Sequence, residues 1–133
     1  MKYVLAFAVI YFLSVSEVPA AEQLTISLTA PKKGVGVTHR HEVSGKVSDS
    51  KADVWVVVRP VEQSDFWVQP PVTVDNDGTW KVTVYFGEAG SAHVGKRFEV
   101  RAFANPTGKI SEGKSAQWPK AAARSNVVEV VRK

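Results

Sequence analysis

The chain has 133 residues, with 17 Lys and Arg against 13 Asp and Glu for a net charge of +4, and no cysteine. That length allows one small domain, and 44% hydrophobic with 10% aromatic residues excludes a disordered polyelectrolyte. The missing cysteines exclude a disulfide framework, a thiolate metal centre, a cysteine nucleophile and a lipid-anchored lipoprotein.

The first twenty residues read as an address. Lys2 is followed by an apolar run over 3–15 broken only by Ser14, and Val18-Pro19-Ala20 supplies the small residues of a cleavage site. This is the order of a secretory signal peptide over 1–20, a helix removed after Ala20. The apolar run is shorter than the roughly 20 residues that span a bilayer, so a retained anchor is the weaker alternative. The mature domain is then 21–133. Its Asn105-Pro106-Thr107 triplet is blocked as a glycan acceptor by its proline. A secreted or periplasmic location in a bacterial envelope is expected, with membrane contact only through the signal peptide.

Beyond residue 20 the dominant period is two. Leu24, Ile26 and Leu28 alternate with Thr25, Ser27 and Thr29, and Val43, Gly45 and Val47 alternate with Glu42, Ser44 and Lys46. Both stretches predict half-buried strands. The β-branched run 54–58, holding Trp55, predicts a central strand buried on both faces, ended by Pro60. Residues 66–69 predict a short edge strand. Val72 and Val74 lead into Asp75-Asn76-Asp77-Gly78, and Trp80, Val82, Val84 and Phe86 lead out, the strongest local signal for a hairpin. Phe98, Val100, Ala102 and Ala104 form another alternating strand, and 127–131 a last one. Residues 105–124 read as a long loop, with 121–124 a candidate helical turn; loops of that length are often functional, and Trp118 is the residue that would pin this one down.

Seven to eight strands in one small domain predict an all-β protein. The economical arrangement is an immunoglobulin-like antiparallel β-sandwich, with an open barrel as the alternative. Trp55 is expected against aliphatic side chains inside it.

The run Val74-Asp75-Asn76-Asp77-Gly78-Thr79-Trp80 resembles a hairpin repeated in bacterial immunoglobulin-like (Ig-like) domains of secreted and surface proteins. Val43-Ser44-Gly45-Lys46-Val47 is similar to the second strand of such domains, and Ser125-Asn126-Val127-Val128-Glu129-Val130 to the last. The resemblance spans most of 24–132 and implies a fold, not an activity. Members of that family are mostly modules of long arrays, whereas one domain alone argues against a pure spacer.

No completed catalytic constellation stands out. No serine sits in a Gly-x-Ser-x-Gly elbow, and Glu62 with Asp65 does not differ from solvated loop charge. A non-enzyme without cofactors is expected. Asp75 and Asp77 lack the further oxygen ligands of a calcium loop. His39 and His41 share a face at spacing two, as two metal ligands would, yet two histidines do not complete a tetrahedral site. The candidate binding residues are Phe66, Trp67 and Trp118, aromatics in Pro-rich or Gly/Ser-rich contexts, with Lys114 in the long loop. Loop aromatics anchor binding surfaces and stack on sugars, though they also cover the ends of cores. The dispersed basic residues match no nucleic-acid module. The sequence therefore leads to a monomeric, non-catalytic module for macromolecular binding or envelope structure, with a protein or polysaccharide partner. A carbohydrate-binding module is the second reading.

Overall fold

The computed structural model describes residues 23–133, so the expected signal helix over 1–20 lies outside the described residues. Among the described residues there are eleven strand segments and no helix. They are β1 (Ile26–Ala30), β2 (Gly36–Val37), β3 (Arg40–Val47), β4 (Val54–Pro60), β5 (Phe66–Val68), β6 (Thr73–Val74), β7 (Thr79–Tyr85), β8 (Arg97–Pro106), β9 (Gly113–Ser115), β10 (Ala121–Arg124) and β11 (Val128–Arg132). The expected count of seven to eight rises because β2, β9 and β10 are only two to four residues each, too short to show a period.

Two sheets pack against each other. One is ordered β1-β3-β7-β6, the other β2-β11-β8-β4-β5-β9 with β10 also on β8. All pairings are antiparallel except β2 with β11. The alternation read from the sequence supplies the facing sides. Trp80, Val82 and Val84 of β7 are buried, while Lys81, Thr83 and Tyr85 point out. Opposite them lie Val54, Val56 and Val58 of β4 and Phe98, Val100 and Ala102 of β8, in one continuous core. Each fully buried valine or phenylalanine among them stabilises by about 1.5–3 kcal/mol.

The second sheet is buried on both faces in its middle. Val57, Phe66, Val68 and Phe103 form a separate apolar cluster on its outer side, closed by Trp55, Ile110, Trp118 and Ala121. Trp55 therefore sits outside the sandwich, half-buried, and the tryptophan between the sheets is Trp80, fully buried. β5 is not an edge, because β9 pairs beyond it. Residues 121–124 are not a helical turn but β10, paired with Phe103 to Pro106. The stretch 105–124 is thus a cover strapped over the outer cluster by β9, β10 and Trp118.

β10 and β11 lie end to end along β8, broken at Ser125. There the Ser125 N–H donates to the Ala102 carbonyl (2.8 Å) and the Ser125 hydroxyl accepts from the Ala102 N–H (2.9 Å). The break turns Asn126 toward the first sheet. Its side-chain amide accepts from the Leu28 N–H (3.2 Å) and donates to the Leu28 carbonyl (3.3 Å). A side chain thereby occupies the open edge of β1, where a free strand edge invites pairing with another chain.

Candidate functional site

A cleft of about 840 Å³ opens where β4, β5 and β7 end and β8 begins. Trp67 and Tyr85 line it, and they are 39% and 40% exposed. Alternation on β5 explains the position of Trp67. Phe66 and Val68 turn into the outer cluster, so Trp67 between them must face the opposite way.

The walls are held in place by buried polar groups. Gln69 is 4% exposed; its amide nitrogen donates to the Trp67 carbonyl (3.1 Å) and its oxygen accepts from the Tyr85 N–H (2.8 Å). One side chain thus ties the backbones that carry both aromatics. Arg132 is equally buried and faces no carboxylate within 4 Å among the described residues. Its guanidinium donates to the carbonyls of Phe86 (2.8 Å), Glu88 (2.9 Å) and Gly90 (2.7 Å), gathering the loop after β7. Such charge-assisted bonds are about twice as strong as neutral ones. His93 completes the wall: its Nδ1 accepts from the Glu88 N–H (3.0 Å), and its ring meets Phe98 edge-on. Gly87, at φ +77°, has no room for a side chain because a Cβ would strike the His93 ring.

The cleft carries mixed charge. Lys96 pairs with Glu62 at 3.2 Å, and Arg97 approaches Glu129 at 3.9 Å. Glu88 and Glu112 line it with no cation within 4 Å among the described residues.

The four sequence-derived binding residues separate. Trp67 is in the cleft. Phe66 is 9% exposed and packs edge-on against Trp118 at 4.8 Å, so both serve the outer cluster. Lys114 is exposed, 3.6 Å from Asp65, and lines a second, smaller hollow. His39 and His41 stand at the start of β3, and among the described residues no group of three metal-ligating side chains forms around them or elsewhere. Tyr85, Gln69 and Arg132 were not singled out in the sequence. Tyr85 had a signal, a large aromatic at the solvent position of an alternating strand. Arg132 had none, because its three acceptors are backbone carbonyls more than forty residues away.

Comparison with known proteins finds no family model, no curated protein and no solved structure that matches this chain.

Proposed function

We propose that this chain is a non-catalytic, Ig-like binding module exported to the periplasm or beyond, acting as a monomer, and that the Trp67–Tyr85 cleft is its binding surface. The observation that carries this reading is the pairing of two half-exposed aromatics in one large cleft whose backbone is fastened by Gln69 and Arg132. Exposed aromatics in a preformed hollow bind at low entropic cost. The Ig-like reading draws support from the strand order, four strands against a sheet whose first short strand runs parallel to the last. Export draws support from the charged, apolar and small-residue order of 1–20.

A glycan is the ligand class the cleft favours over a protein segment. Trp67 and Tyr85 offer flat faces for sugar rings, and the free carboxylates of Glu88 and Glu112 accept hydrogen bonds from hydroxyls. Calorimetric titration of the protein with cello- and chito-oligosaccharides tests this. Saturable binding lost in both Trp67→Ala and Tyr85→Ala is expected; binding unchanged in both variants places the site elsewhere. Export is tested by fractionating the native cells and weighing the intact protein. A mass beginning at Ala21 is expected, and a cytoplasmic, full-length chain overturns it.

A further inference from the structure

Across β9 from the cleft lies a hollow of about 340 Å³ with a different character. Lys109, Lys114 and Lys120 line it with the hydroxyl residues Thr107, Ser111 and Ser115, and no Asp or Glu does. Among the described residues Lys109 and Lys120 have no carboxylate within 4 Å, and the one partner of Lys114, Asp65, is outside the lining.

The backbone that presents these lysines is fixed. The Thr107 N–H donates to the Lys120 carbonyl (2.9 Å), β9 is paired with β5, and β10 is paired with β8. Ile110 and Trp118, between the lysines in sequence, are packed into the outer cluster. Three like charges rooted around one hollow repel each other, and an anion placed among them reverses the sign of that interaction.

The hollow adjoins the cleft. Val68 lines both, and Lys114 is the direct cross-strand partner of Trp67. The two differ in charge, because Glu88 and Glu112 line the cleft. A uniformly charged polyanion such as nucleic acid would meet those carboxylates. A chain with spaced acid groups would set a neutral stretch against them and an acid group among the lysines.

We propose that the Lys109–Lys114–Lys120 hollow is a subsite for the acid groups of an anionic polysaccharide whose sugar rings lie on Trp67 and Tyr85. The joint site rests on the reading of the cleft given above; the anion subsite adds to it.

The test is titration of the protein with hyaluronate, which carries one carboxylate on every second ring, and with kappa-carrageenan, which carries one sulfate on every second ring. Single-stranded DNA and phosphatidylglycerol vesicles are the contrasting anions. The K109Q/K114Q/K120Q variant is compared with K32Q/K33Q/K51Q, which removes the same charge from exposed positions elsewhere. Far-UV circular dichroism checks that both are folded. Binding to at least one acidic polysaccharide is expected, weakened at least about tenfold in the first variant, as loss of charge-assisted bonds predicts, and much less in the second. Equal weakening in both variants overturns the proposal, since net charge alone then explains binding. So does the absence of binding to either polysaccharide, or equally tight binding to DNA or vesicles. Trp67→Ala separates the two sites. If it abolishes polysaccharide binding while the lysine variant does not, the subsite falls and the cleft stands. If the lysine variant alone loses binding, the cleft reading and the joint site fall.

Discussion

Gly45 and Trp80 are direct partners across β3 and β7, and the indole fills the space where a side chain at 45 would stand. A Cβ there would also meet the Ser27 carbonyl of β1, so both neighbouring strands close over the glycine. Replacing Gly45 by Ala therefore has no relaxed solution. We expect a loss of about 3 kcal/mol, at the upper end of the cost of overpacking, measured by urea unfolding. A loss under about 0.5 kcal/mol, the level of an ordinary surface substitution, would show that the strands can part.

Phe66 and Trp67 are adjacent in the chain and opposite in environment. Phe66→Ala empties the outer cluster under Trp118 and is expected to cost about 3–5 kcal/mol. Trp67→Ala removes a side chain from the cleft wall and is expected to cost far less, about 1 kcal/mol, while ligand binding falls. Thermal unfolding of the two variants side by side checks the contrast.

Asn126 holds the edge of β1 through two hydrogen bonds to Leu28. Asn126→Ala leaves both backbone groups of Leu28 without that partner, an expected cost of about 1–3 kcal/mol. Hydrogen exchange at the Leu28 amide should accelerate in the variant ahead of the β3 amides.

Arg132 satisfies three carbonyls that diverge from one another, a task for a planar, five-donor guanidinium. Arg132→Lys keeps the charge and loses the geometry. We expect faster hydrogen exchange across 86–96 and weaker ligand binding, with the far-UV spectrum of the sheets unchanged. An unaltered exchange pattern would mean that the loop is held without the guanidinium, by His93 and by the Gly95 N–H, which donates to the Arg132 backbone carbonyl at 2.7 Å.

The hairpin between β6 and β7 carries a pH signature. The Thr79 N–H donates to the Asp77 carboxylate at 2.9 Å and, together with the Thr79 side chain and Lys46, holds its pKa below the ordinary 3.8. A depressed folded-state pKa stabilises above the unfolded value and is lost as pH falls through the folded one. The melting temperature of Asp77→Ala should thus lie below that of the parent at neutral pH. The two should converge as pH falls below 3.8. A gap that stays constant to low pH would assign the effect to turn geometry alone.

The sequence by itself determined what depends on near neighbours. Period-two alternation marked β1, β3, β7 and β8, because a pleated strand sends successive side chains to opposite faces. Asp75-Asn76-Asp77-Gly78 marked the hairpin, since Gly78 takes φ +86° where other residues strain. Alternation says that two faces differ, but not what covers each one. Only the tertiary structure decided that Trp80 lies between the sheets and Trp55 outside them. It likewise decided that Phe66 and Trp118 close a second cluster while Trp67 faces a cleft. The cleft and the lysine hollow draw their residues from separate turns of the chain, and Arg132 reaches its carbonyls across more than forty residues. Such meetings follow from sheet order and register, which are set by the packing of the whole domain and leave no periodic trace in any one segment.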